Sequence, residues 1–510
     1  MMKRILSLLV AAMLLWLSGV AVAEETENPY AHLDLSNPET VTIYFVGTPG
    51  EDWERVTGMA NELMAKKINT TVNWVHISWA DFQANYALYL SGSEDVDIIY
   101  GASWCNYMDY VKSGAFKPLS QDFLQTYMPM TLQNQAPASW NEVSYLGDIY
   151  GVPTNYSAIE QTVVVTPREY LTKYGYQEED INSMDKLVEY LAKVAEGEKG
   201  TGVYGLNCQS NFPTNFYWLP LIYHNFDLDT ASATWMMWDY DKGDFKVEDL
   251  HWWADSEDFV QYALDMAELN KLGVFPPNVI ANENFLGDNF EAGTSVIDFV
   301  GCAAADARIA DWAAKGKDLA VLDVFSTENM HSRRGNYMGY CAAFPINSTK
   351  TERAAVALDC IKNDREVNLL LLGGIEGEHI IYDWENNTYR PGPNATAYPW
   401  NSWFHCHEND SNPHLAIANP RLAEINQRYI DAAVDSFPVN GFTYDGSKYQ
   451  AEIAILNSLM QEYQWSFCFG IFGDETEAKC AQFLQEARLA GLDLVVEDYR
   501  QQLAAYLGQE

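Results

Sequence analysis

Thr40–Gly47 reads TVTIYFVG and stops at the turn Thr48-Pro49-Gly50; Val96–Gly101 reads VDIIYG and stops at the polar Ala102-Ser103-Trp104. Short apolar runs rich in β-branched residues and bounded by turn residues read as buried strands. Between them, Glu51–Lys67 sets Trp53, Val56, Met59, Ala60, Leu63 and Met64 at helical spacing. Thr70–Ser78 then alternates as a strand, with Val72, Trp74 and His76 on one side, and Ala80–Leu90 returns to helix. Strands alternating with helices imply a parallel, doubly wound α/β sheet. Ligands of such sheets bind beyond the carboxyl ends of the strands, which singles out Thr48–Trp53 and Ala102–Asn106.

Upstream of this unit, residues 1–23 have the form of a signal peptide: Lys3 and Arg4, an apolar stretch from Ile5 to Val20, then Ala21-Val22-Ala23. The expectation is export, with cleavage before Glu24 and an extracellular or cell-surface location. A retained anchor is the alternative, since the apolar stretch is just long enough to span a bilayer. Leu17-Ser18-Gly19-Val20 resembles a lipoprotein signal with valine at the lipidated position. Lacking that thiol, the chain is not expected to carry a lipid anchor.

The remaining 487 residues (510 − 23) exceed what one core holds, so about two or three domains are expected. An apolar fraction of 48% fits a globular protein and not a disordered one. Formal charge is −40, spread along the chain. Such a surface repels nucleic acid and anionic lipid, so neither is an expected partner. The eight cysteines are scattered without a CxxC pair, which leaves both disulfides and free buried thiols open.

Further along, Gln161–Thr166, Ser295–Gly301, Leu319–Val324 and Tyr337–Ile346 read as strands, and Pro167–Tyr174 and Met184–Glu196 as helices. Residues 208–255 are dense in aromatics, and from Thr349 onward the pattern is mainly helical. No P-loop, dinucleotide fingerprint, HExxH or GxSxG motif is present. Asp239–Phe245 is loosely calcium-loop-like, but its carboxylate spacing suits a hairpin turn better. His405-Cys406-His407 with Asp410 and His414 matches no zinc spacing, so a polar loop is expected there; neither metal nor cofactor is predicted.

Several segments, taken in order, carry a resemblance. They are Gly114–Leu119 (GAFKPL), Asp148–Pro153 (DIYGVP), Phe290–Ser295 (FEAGTS), Glu352-Arg353-Ala354 through Asp359, Gly374–His379 (GIEGEH), Asn440-Gly441-Phe442 and Ala487–Leu503. With these the chain resembles bacterial ABC-transporter extracellular solute-binding proteins, and more narrowly a Gram-positive branch associated with oligosaccharide uptake. Gly373 departs from the aromatic usual there. The resemblance implies a two-lobed type 2 periplasmic-binding-protein fold with hinge strands and a helical C-terminal extension. It also implies a non-enzymatic, monomeric protein that closes on a solute and then engages the permease subunits of an ABC importer. On this basis lobe one is expected at 24–157 and 294–328, and lobe two at 158–293 and 329–510. Crossings are expected at Tyr156–Gln161 and Gly293–Ser295.

Strand ends and hinge turns give a predicted cleft lining of Thr48, Asp52, Trp53, Trp104, Tyr156, Trp218, Asp298, Tyr337, Glu376 and Trp400. Each aromatic among them competes with ordinary core packing. Aromatic faces stack on sugar rings while Asp, Asn and Glu accept hydroxyl protons, so an oligosaccharide is the expected solute. A polyamine or other cation, boxed by aromatics, is the alternative solute. A secreted glycoside hydrolase is the rival of another class, and would require two carboxylates roughly 5 to 9.5 Å apart across a cleft. A purely structural surface protein would have no such cleft.

Overall fold

The computed structural model describes residues 28–508 except 93–94, 103–104, 106, 156–161, 209–225, 230–235, 240–243, 283, 325–336, 400–410, 433–438 and 440. Eight strands build its two main sheets: β1 (Glu39–Val46), β2 (Thr70–Ile77), β3 (Ile98–Gly101), β4 (Gly151–Pro153), β5 (Thr162–Pro167), β6 (Asp298–Gly301), β7 (Leu319–Leu322) and β8 (Cys341–Ala343).

The first sheet runs β2-β1-β3-β8-β4. β1 pairs in parallel with β2 along its whole length, Glu39 with Thr70 through Val46 with Ile77, and with β3 through Ile43 and Ile98. Val41, Ile43 and Phe45 on one side of β1 and Thr42, Tyr44 and Val46 on the other are all buried, so the run is covered on both faces. The helix Trp53–Ile68 buries Trp53, Val56, Thr57, Ala60, Met64 and Ile68 against it and ends at Asn69 in the left-handed region. Met59, predicted for that buried stripe, is instead exposed. β8 slots antiparallel between β3 and β4. Its Cys341-Ala342-Ala343 are small enough to lie fully buried between two neighbours and under the helices.

The second sheet is antiparallel, in the order β6-β5-β7. This corrects the expected division of the chain. Residues 294–328 were expected beside β1, but β6 and β7 pair with Val163–Val165 of β5, and Val296, Ile297, Ala320 and Leu322 join its core. Conversely, β8 and the helices Thr351–Asn363 and Arg365–Gly373, expected in lobe two, pack into the core of lobe one. The second crossing therefore lies between Leu322 and Cys341, and not at Gly293–Ser295.

Each lobe has its own hydrophobic core. One holds β1–β4, β8 and their helices; the other holds β5–β7 and the helices Glu257–Lys271, Pro420–Asp431, Gln450–Cys468, Thr476–Leu489 and Leu492–Leu507. All seven described cysteines are buried free thiols. Burial pushes the ionisation of five of them up, to about 11 for Cys302, to about 12 for Cys105 and Cys480, and further for Cys360 and Cys468, which keeps these five thiols protonated and unreactive. The described residues contain no helix long and apolar enough to cross a membrane. The signal segment, and Cys406 with its histidine neighbours, lie outside the described residues.

Candidate functional site

Strand direction fixes which ends of the two sheets face the crossings. β1, β2 and β3 are parallel, so their carboxyl ends at Val46, Ile77 and Gly101 share one edge. β8 starts on that edge, with Cys341 opposite Gly101, and β4 ends there, with Pro153 opposite Cys341. In the second sheet, β5 begins at Thr162 opposite Gly301, and β7 ends at Leu322 opposite Val164. The chain thus leaves lobe one after Asn155, enters lobe two at Thr162, leaves it after Leu322 and returns at Cys341. The edge carrying Thr48, Ser78, Ala102, Thr154 and Tyr340 and the end carrying Gly301 and Asp323 are the ones joined by these crossings.

Asn155 closes the first edge locally. Its Oδ1 accepts the Ala136 amide at 2.8 Å and its Nδ2 donates to the Asn134 carbonyl at 2.9 Å. On the returning crossing, the Met338 amide donates to Glu142 Oε2 at 3.0 Å. Burial pushes the Glu142 carboxyl up to about 7, against the opposing pull of the Met338 and Tyr337 amides.

Asp52 precedes the helix Trp53–Ile68 and binds three partners. Arg55 Nη2 is 2.7 Å from its Oδ2, His379 Nε2 is 2.9 Å away, and Asn394 Nδ2 donates at 3.3 Å. The Ile375 amide donates to His379 Nδ1 at 3.1 Å, so the ring proton sits on Nε2 and is given to Asp52. Arg55 first and His379 second hold the Asp52 carboxyl below its usual range. Arg55 also reaches both carboxylate oxygens of Glu378. Ligand atoms of Asp52, Glu378 and His379 lie within 4.8 Å of one another, the spacing of a metal site. A guanidinium already neutralises both carboxylates, and the imidazole donates a proton where a metal would need its lone pair. The cluster is a lock between the helix start and the Gly374–His379 bend.

The predicted lining residues separate accordingly. Thr48 is exposed at the end of β1, and Tyr337 is half-buried on the returning crossing; both lie on the joined edge. Asp52 lies near that edge within the ionic lock, and Glu376 is exposed on the bend that the lock fixes. Trp53 is a core residue: it stacks on Tyr398 at 5.8 Å and meets His76 edge-on at 4.5 Å. Burial in that aromatic set drops His76 to about 4, so it is neutral at pH 7. Asp298 is also no cleft residue. It begins β6 at the end away from the crossings, is buried, and pairs with Arg308. Desolvation raises its carboxyl and Arg308 opposes the shift. Trp104, Tyr156, Trp218 and Trp400 lie outside the described residues. Sequence reasoning missed Asn155, Glu142 and His379. His379 had a signal in the GIEGEH motif; the other two are single polar residues whose partners come from folding.

Residues 54–339 match the family described as bacterial extracellular solute-binding protein, and residues 438–508 match a domain of unknown function, DUF3502. No curated protein matches the chain. The fold is similar to the N-glycan transport solute-binding protein NgtS of Streptococcus pneumoniae, at 17% identity and TM-score 0.72, covering 92% of this chain and 99% of that one. It is also similar to S. pneumoniae FusA in complex with kestose, at 15% identity and TM-score 0.59, covering 92% and 100%. A third similar structure is an HMO-binding, ABC-transporter-associated protein of Bifidobacterium longum infantis, at 13% identity and TM-score 0.58, covering 92% and 99%. At these identities the likeness establishes a two-lobed α/β architecture with a helical C-terminal region. With more than half of its 510 residues matched by one family, the protein belongs to the bacterial extracellular solute-binding proteins.

Proposed function

We propose that the protein is the solute-binding component of an ABC importer, that it captures an oligosaccharide between its lobes, and that it hands the solute to a membrane permease without chemical change. The observation that carries this reading is the end-to-end match, 92% of this chain and 99% of the other, to a structure that transports N-glycan. The family membership and the crossings that join the strand ends of two separate cores agree with it. A solute touching both edges stabilises the closed arrangement over the open one, so the permease can distinguish loaded from empty protein. Of the predicted lining, Thr48 and Tyr337 remain in this reading, together with the predicted aromatics Trp104, Tyr156, Trp218 and Trp400; Asp52 and Glu376 act by shaping the bend that the ionic lock fixes.

The test is a thermal-shift panel of N-glycan fragments, fructo-oligosaccharides, polyamines and peptides. A ligand at 100 times its dissociation constant adds about 2.7 kcal/mol of stability. The reading expects a rise in melting temperature with an oligosaccharide and recovery of the sugar unchanged. A rise with polyamines alone transfers the assignment to a cationic solute, and release of reducing ends converts the protein into a glycoside hydrolase.

A further inference from the structure

Three parts of the molecule meet at the turn Pro137–Val143 of lobe one. Val143 belongs to the first core, and Glu142 beside it is 8% exposed. From the returning crossing, the Met338 amide donates to Glu142 Oε2 at 3.0 Å, and the Tyr337 amide donates to the same carboxyl. From the C-terminal region, Gly441 lies against the turn. At φ 84°, a Cβ there would stand 3.0 Å from the Tyr506 hydroxyl and 3.5 Å from the Asn141 carbonyl oxygen. Tyr506 is in the last helix, whose Val495, Tyr499 and Leu503 are buried in the second core. Lys112 fastens the same two surfaces, its Nζ donating to the Tyr444 carbonyl at 3.1 Å. Gly441 thus marks where lobe two rests on lobe one beside the crossing.

A carboxyl at this junction senses how the lobes sit. Burial favours its neutral form and the two crossing amides favour the ionised one; burial is the larger effect and raises the carboxyl. Tyr506 adjoins it from lobe two: burial first and the Glu142 charge second push the Tyr506 hydroxyl up. The described titratable residues on the other elements packed against the turn are Tyr145 and Asp148 of the adjoining hairpin, Tyr150 before β4, and Tyr337 and Tyr340 of the crossing. Asp148 is exposed, so water screens its charge. Lys362 Nζ donates to the Pro153 carbonyl of β4. Asp498 of the last helix is taken up by Lys448 and the Tyr444 hydroxyl. Hinge rotation moves the crossing and lobe two relative to the turn. Wherever it draws Met338 or Tyr506 away, water reaches the carboxyl and the ordinary preference for the ionised form returns.

We propose that Glu142 is a proton switch on the hinge: the lobe arrangement that packs Met338 and Tyr506 on it holds the carboxylic acid, and the alternative arrangement releases that proton to water. Acid therefore favours the packed arrangement and alkali the other. The effect on solute capture rests on the solute-binding reading; the effect on the solute-free lobes does not.

Small-angle X-ray scattering of the solute-free full chain between about pH 5.5 and 8.5 tests the switch. The radius of gyration is expected to change with a midpoint near the carboxyl's value of about 7. Glu142→Gln, which mimics the acid form, should hold the low-pH radius throughout. Tyr506→Ala, which admits water from the surface, should move the midpoint down, and it serves also if Glu142→Gln does not fold. A constant wild-type radius, a wild-type curve in Glu142→Gln or an unmoved midpoint in Tyr506→Ala would overturn the switch. N-glycan fragments and fructo-oligosaccharides are then titrated at both ends of the pH range. Affinity should differ on the order of tenfold in wild type and coincide in Glu142→Gln. Equal wild-type affinities would overturn the coupling to capture. A pH-dependent radius with no sugar bound would overturn the capture reading and uphold the switch, so the two failures are read separately.

Discussion

Two titratable residues decide more than their numbers suggest. His379 has a fully buried side chain and links the Ile375 amide to Asp52, so its ring holds the bend and the start of the helix Trp53–Ile68 together. His379→Ala removes two hydrogen bonds and leaves a void, and is expected to destabilise lobe one by about 2 kcal/mol or more in urea unfolding. Glu142 is the second. Its carboxyl is raised from 4.5 to about 7 by burial, so between those values the folded chain keeps a proton that the unfolded chain has lost. Stability from this residue is therefore full below about pH 4.5, falls as pH rises towards 7 and levels off above it. Urea unfolding at pH 5 and at pH 7.5 should show that loss in wild type, on the order of 2 kcal/mol, and a flatter profile in Glu142→Gln. An equal pH slope in both proteins would place the titration elsewhere.

At the scale of elements, the sequence was readable where pairing partners are close along the chain. β1, β2, β3 and the intervening helices follow from runs of one period each, and their order is forced by short connections. The misassigned pieces are those whose partners are distant. β6 reads as a strand, but nothing in Asp298–Gly301 tells whether it will meet Val41–Val46 or Val163–Val165. β8 crosses back over more than 170 residues to lie against β4. Trp53 shows the same limit at the site: its position after a strand end is legible, while its burial depends on Tyr398, 345 residues away. The GIEGEH motif, by contrast, announced an element whose purpose the structure supplies. Gly374 sits at φ 75°, and a Cβ there would come within 2.5 Å of His379 Nδ1 and 2.9 Å of the Tyr398 ring. Gly374→Ala is expected to combine backbone strain with displacement of the lock, at about 1–3 kcal/mol. A melting temperature equal to wild type would show that the bend is not fixed in this way.

For the whole molecule, the two cores place the C-terminal region. The match to a domain of unknown function begins at residue 438, yet this segment is no appended module. Phe467, Phe483, Tyr499 and Leu503 are buried in the core that also holds Trp252, Phe259 and β5. Phe483 lies 5.3 Å from Trp252 and 6.2 Å from Phe259, and Arg500 donates to the Leu250 carbonyl. The region also reaches lobe one, where Lys112 Nζ donates to the Tyr444 carbonyl at 3.1 Å. A chain ending at residue 437 would expose the aromatic face of the helix Glu257–Lys271 and lose about a quarter of the buried residues of the second core, while β1–β4 and β8 keep theirs. The expected outcome is selective. In hydrogen exchange, amides of β1 and β3 should retain protection while those of β5 and β7 lose it. Oligosaccharide binding should fail with the second edge. Loss of protection in both lobes together would mean that the cores fold as one cooperative unit, and retention in both would make the C-terminal helices a separable attachment.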